Sequence, residues 1–125
     1  MDARRPPQIL VVDDDPAVLN ALVFALRLDG FDVTGFASAE ALLAERSLPI
    51  RGCIVTDYRM PGLDGVELVG RLRARGVELP AILITTPTSA VKRLAEAANI
   101  PIVEKPLVGG ALADRLNGLI DAAND

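Results

Sequence analysis

The sequence predicts an α/β fold in which a parallel five-stranded sheet is wrapped by helices on both faces. Along 125 residues, five short strand-like runs alternate with five stretches of helical periodicity, the pattern of strand–helix crossovers in one domain. The strongest runs are continuously apolar rather than alternating, as strands buried on both faces are. Four of the runs lead into polar residues, Asp13-Asp14, Asp57, Thr85 and Lys105. Sheets of this kind place their sites there, beyond the carboxyl ends of the strands.

Taken in order, Gln8 to Val12 is the first strand, and Asp15-Pro16 reads as an N-cap with Pro at the first helical position. Leu19, Leu22, Val23 and Leu26 form the apolar stripe of the following helix, which stops at Asp29-Gly30. Phe31 to Phe36 gives a second strand, weakened by Gly35, and Ser38 caps a helix to about Arg46 anchored by Leu42 and Leu43. Cys53 to Thr56 is the third strand and delivers Asp57 to a Pro61-Gly62 turn. Asp64 with Glu67 three residues later is a capping box for a helix from Val66 to about Arg75, closed by Gly76.

Pro80 to Thr85 is the fourth strand, and Thr88 and Ser89 are candidate caps for a helix with Val91, Leu94, Ala95 and Ala98 as its stripe. Ile100 to Val103 is a brief fifth strand ending in Glu104-Lys105-Pro106. A last helix aligns Leu112, Leu116, Leu119, Ile120 and Ala123. Cys53 reads as core, because a free cysteine behaves as a small hydrophobe. Arg71, Arg73 and Arg75, at alternate positions, cannot share one helical face and read as solvated.

Composition excludes several classes of chemistry. A single cysteine forbids an internal disulfide, and with no histidine there is neither His-based acid/base catalysis nor His-ligated zinc. A net charge of −4, three Phe, one Tyr and no Trp give neither the basic footprint nor the stacking platform of a nucleic-acid binder. Apolar runs such as Ala21 to Leu26 fall far short of the roughly 18–20 residues that span a bilayer. Residues 1–7 read as a frayed lead rather than a signal peptide. The expectation is therefore a cytoplasmic chain with one domain over residues 8–125 and no output domain.

The strand ends gather Asp13, Asp14, Asp57, Thr85 and Lys105 on one edge. Three carboxylates about 5 Å apart repel by roughly 3 kcal/mol per pair at an effective dielectric near 20, so the cluster needs a cation or shifted protonation, and a hard divalent ion satisfies this best. Oxygen-only ligands select Mg²⁺, with Mn²⁺ or Ca²⁺ as substitutes. A carboxylate beside a divalent cation, a lysine and a hydroxyl suits phosphoryl transfer, with Asp57 attacking in line.

These residues, with Val11-Val12-Asp13-Asp14, Thr56-Asp57, Met60-Pro61-Gly62-Leu63-Asp64-Gly65, Thr85 and Lys105-Pro106 in order, resemble the response-regulator receiver domain (CheY-like) from Gln8 to the last helix. The resemblance implies a flavodoxin-like (βα)5 three-layer sandwich with strand order 2-1-3-4-5. It implies Asp57 as phosphoacceptor, with Lys105 and Thr85 acting on the phosphoryl group. Asp14, Asp57 and the backbone carbonyl of Arg59 would hold Mg²⁺, with Asp13 close by.

It further implies a sensor histidine kinase or histidine phosphotransfer protein as donor and an unidentified downstream protein as receiver of the signal, and it allows a homodimer through the face of the fourth and fifth helices. Beyond self-catalysed transfer and slow autodephosphorylation no enzymatic activity is expected. The Lys105–Pro106 bond is expected to be cis by the same resemblance.

The chain departs from the family pattern on one face. Ile102 stands where an aromatic switch residue is usual, the stretch from Thr85 to Lys105 is short, implying a trimmed fourth helix, and Gly109-Gly110 falls in the first turn of the last helix. Pro87, two residues after Thr85, bears on access to the phosphoryl group. These departures raise a binding module with weakened phosphorylation-dependent output as the alternative. A phosphohydrolase using Asp13-Asp14-Asp15 lacks the extra chain such enzymes carry, and a nucleotide site lacks a Gly-rich loop after the first strand.

Overall fold

Strand and helix alternate strictly: β1 (Gln8–Val12), α1 (Pro16–Leu28), β2 (Asp32–Phe36), α2 (Ala39–Leu43), β3 (Gly52–Asp57), α3 (Gly65–Ala74), β4 (Ala81–Thr85), α4 (Ser89–Ala97), β5 (Ile102–Glu104) and α5 (Ala111–Asn124). The computed structural model describes residues 7–105 and 110–124, the side chain of residue 124 excepted. The five strands form one sheet in the order β2-β1-β3-β4-β5, every pairing parallel, as expected.

Alternation along the strands divides the core in two. Leu10, Val12, Ile54 and Leu83 face one side and pack with Leu42 of α2, Leu68 and Leu72 of α3, and Val91 and Ala95 of α4. Ile9, Val11, Val55, Ile82 and Ile84 face the other, with Leu22 and Leu26 of α1 and Leu112, Leu116 and Ile120 of α5. Cys53 joins the second cluster, and its burial pushes the thiol pKa up to about 12, so it is core as expected. Gly35 serves this layer, since a Cβ there would lie 3.1 Å from Val23 and 3.2 Å from Leu19. Its lack of a side chain lets α1 settle on β2.

Caps are where the local sequence places them. Asp15 accepts from Ala17 N at 2.9 Å, Ser38 from Ala41 N at 3.0 Å and Thr88 from Val91 N at 3.2 Å. Asp64 and Glu67 form the reciprocal capping box of α3. Asn99, with φ of 56°, closes α4 in a left-handed turn, its N–H donating to Glu96 O and the next N–H, of Ile100, to Ala95 O.

That closure corrects the fifth strand. Ile100 is spent on capping α4 and Pro101 has no N–H, so β5 begins at Ile102 and reaches Glu104. The second helix is also shorter than predicted, ending at Leu43 instead of Arg46.

Its terminus shows why the arginines of α3 are not merely solvated. Arg75 donates to Leu43 O at 2.8 Å and to Glu45 O at 3.1 Å, while Arg73 donates to Ala98 O at the end of α4. Alternate helical positions point some 200° apart. Here that divergence lets α3 tie down one neighbouring helix on each side.

Leu94, expected in the apolar stripe of α4, is exposed, while Val91 and Ala95 are buried. Gly110 precedes the first residue of α5. The expectations for residues 1–6, for the Lys105–Pro106 bond and for Gly109 lie outside the described residues; Pro7, the last residue of the predicted frayed lead, accepts from Asp32 N at 3.4 Å.

Candidate functional site

β1 and β3 are neighbours in the middle of the sheet, with Val12 level with Thr56, so the residues that follow them emerge side by side. One carboxylate oxygen each from Asp13, Asp14 and Asp57 lies within 4.8 Å of the others. Asp13 is buried, with 2% of its surface exposed, and Asp14 stands in solvent. The side chain of Asp57 is 12% exposed and forms an ion pair with Lys105, whose Nζ lies 3.0 Å from Oδ2.

β5 brings Lys105 there. Its backbone N–H donates to Thr85 O at 3.1 Å, just after the last pair of the β4–β5 ladder, Thr85 with Glu104. Thr85 is buried at the end of β4, one position beyond Ile84, the residue level with Asp57. Arg59 is exposed in the loop after β3. Ile102 is level with Leu83 and partly buried against the core.

Two backbone arrangements hold the acids. The amide of Asp15 donates to Asp13 Oδ1 at 2.9 Å, and the amide of Asp13 donates to Phe36 O at 3.1 Å, tying the first loop to the end of β2. After β3, Gly65 N donates to Tyr58 O at 2.9 Å, and a Cβ on Gly65 would sit 2.4 Å from Asp57 O, so α3 starts against the carbonyl of Asp57 itself. Thr56, named above only as a strand end and motif residue, is fully buried and its hydroxyl donates to Asp57 O at 2.9 Å, a role not expected from the sequence. One signal was available: a hydroxyl inside an otherwise apolar strand, adjacent to the candidate nucleophile.

Burial raises the Asp13 carboxyl pKa above its ordinary 3.8; the Asp15 amide pulls it back, Asp57 raises it, Lys105 lowers it and Asp14 raises it. A raised carboxyl pKa favours the fold below pH 3.8, and that contribution is lost as the pH climbs through the folded value. At neutral pH the Asp13 charge therefore costs stability. Burial of that charge is the main cause, with repulsion from Asp57 and Asp14 added and the Asp15 amide and Lys105 opposing it. Asp13→Asn keeps the acceptor for the Asp15 amide and should raise the metal-free melting temperature at pH 7 by roughly 3–5 °C. The gain should vanish in scans below pH 3.8. A lower melting temperature at pH 7 would contradict this electrostatic picture.

Three clustered carboxylates, with no nitrogen or sulfur among them, form a donor set fitted to a hard divalent cation. Among the described residues, no helix is long and apolar enough to cross a membrane.

Comparison with known proteins agrees with this geometry. The sequence profile of the response regulator receiver domain matches residues 9–117. The transcriptional regulatory protein FixJ of Bradyrhizobium diazoefficiens is 42% identical over 118 residues, covering 92% of this chain and 55% of that protein. The transcriptional regulatory protein PrrA of Mycobacterium leprae is 41% identical, covering 91% of this chain and 50% of that protein. The chain thus spans about half the length of these curated relatives. Among solved structures, FixJ-N superposes with a TM-score of 0.82 at 30% identity, covering 94% of this chain and 95% of the other.

Proposed function

The chain belongs to the response regulator receiver domain family, and on that premise we propose that Asp57 accepts a phosphoryl group from a phosphohistidine on a sensor histidine kinase or a histidine phosphotransfer protein. The observation that carries this reading is the contact of Asp57 with the Lys105 ammonium at 3.0 Å inside a cluster of three carboxylates. An oxygen of Asp57 forms the new P–O bond while the donor's P–N bond breaks, leaving an aspartyl phosphate. Lys105 holds the nucleophile before transfer and compensates the added negative charge afterwards. The Thr85 hydroxyl, at the end of the adjacent strand, would donate to the phosphoryl group.

Asp14, Asp57 and the carbonyl of Arg59 would hold Mg²⁺, with Asp13 as the buried charge behind them. When bound, the ion supplies the positive charge that phosphoryl transfer between anions requires. The receiver unit is assigned to residues 8–125 and acts in the cytoplasm, where a kinase donor is available. Because one product state carries contacts that the other lacks, phosphorylation shifts a conformational balance and with it the affinity for a downstream protein.

The test is intact mass after incubation with Mg²⁺ and acetyl phosphate. One added phosphoryl group is expected, and chelating the divalent ion should slow its appearance by about 100-fold or more. Incorporation at the same rate with and without the ion, or none in its presence, would overturn the reading.

A further inference from the structure

We propose that Glu40, in the first turn of α2, is a positioning residue for the loop that follows Asp57, an inference that rests on the phosphoacceptor reading above. The loop, residues 58–64, is secured at both ends, by Gly65 N on Tyr58 O at 2.9 Å and by the capping box of Asp64 with Glu67. Between those anchors run Arg59, Met60, Pro61, Gly62 and Leu63, and proline has no N–H to contribute. The Leu63 amide crosses to another element, donating to Glu40 Oε2 at 3.3 Å over a separation of 23 residues.

Gly62 seats itself against the same carboxylate. Its φ of +79° is one that glycine adopts readily, and a Cβ there would lie 2.6 Å from Glu40 Oε2 and 3.3 Å from Glu40 Cδ. The carboxylate thus occupies the space a side chain would need, and one residue of α2 braces two consecutive residues of the loop. The carbonyl assigned to the cation belongs to Arg59, three residues before Gly62. Partners that orient a metal's ligands typically govern affinity by 10–100-fold.

Glu40 itself is exposed, and the contacts described for it are with the loop. Its loss should disturb the loop more than the fold. Nothing in the local sequence announces the role, because the two partners meet only through the tertiary fold.

The experiment compares wild type, Glu40→Ala and Glu40→Gln without phosphodonor. Hydrogen exchange of the Leu63 amide is followed by NMR, and Mg²⁺ affinity by titration monitored through amide shifts. In Glu40→Ala the Leu63 amide should exchange roughly 10-fold faster and Mg²⁺ should bind about 10-fold more weakly, with little change in melting temperature. Glu40→Gln keeps an oxygen acceptor and should restore both to within about 3-fold.

Unchanged exchange and affinity in Glu40→Ala would overturn the proposal. So would a Glu40→Gln chain as impaired as the alanine variant, which would assign the effect to charge near the cation. Wild type that fails to bind Mg²⁺ would overturn the phosphoacceptor reading and this inference with it.

Discussion

Asp57→Asn protein incubated with Mg²⁺ and acetyl phosphate should gain no phosphoryl group under conditions in which wild type gains one, a loss of at least about 1000-fold in rate. The amide is a far poorer nucleophile than the carboxylate, yet nearly the same size. The side chain it replaces is mostly buried and held by Lys105, so the variant should fold and the comparison should isolate chemistry from stability. Asp13 and Asp14 provide an internal control. Both lie in the same cluster, but Lys105 contacts Asp57. If position along the strand edge were unimportant, these acids would accept the group in its place, and equal mass gain in the variant would show it.

The largest effect on stability should come from Gly52→Ala. Gly52 opens β3 opposite Gln8, the first residue of β1, with φ of +150°. A Cβ there would fall 1.9 Å from Gln8 O and 2.8 Å from Gln8 C. These are backbone atoms of a central strand, so neither can rotate away as a flexible side chain would. Relief requires parting β1 from β3 at the end where Gly52 is buried against Gln8. The expected cost is about 3 kcal/mol or more, lowering the melting temperature by roughly 10 °C. A variant melting within about 2 °C of wild type would mean that the β1–β3 junction differs from the one described.

The architecture was legible because the central strands are unmixed. Ile9 to Val12, Cys53 to Val55 and Ala81 to Ile84 are apolar at every position and buried on both faces, which only a sheet covered twice can satisfy. The site followed from the same geometry, since Asp13, Asp14, Asp57 and Lys105 each stand at or just beyond a strand's carboxyl end. What local reading missed depends on partners distant in the chain. β5 was misplaced by two residues because Ile100 bonds Ala95 and closes α4. Gly35, read as a weakness, is a seat for Leu19 and Val23. Arg73 and Arg75, read as solvated, find carbonyls at least 25 residues away. Glu40 likewise reaches Leu63 only because α2 and the loop after β3 emerge at the same edge.

The acids crowded at the edge of the parallel sheet are proposed to form one cation-dependent acceptor site. A crystal structure with Mg²⁺ and beryllofluoride decides whether they do. The expected map shows beryllofluoride on a carboxylate oxygen of Asp57, within reach of Lys105 and Thr85, and one Mg²⁺ held by Asp14, Asp57 and the Arg59 carbonyl. Asp13, Asp14 and Asp57 turned apart at saturating Mg²⁺ with no ion among them, or the fluoride adduct on another residue, would rule such a site out.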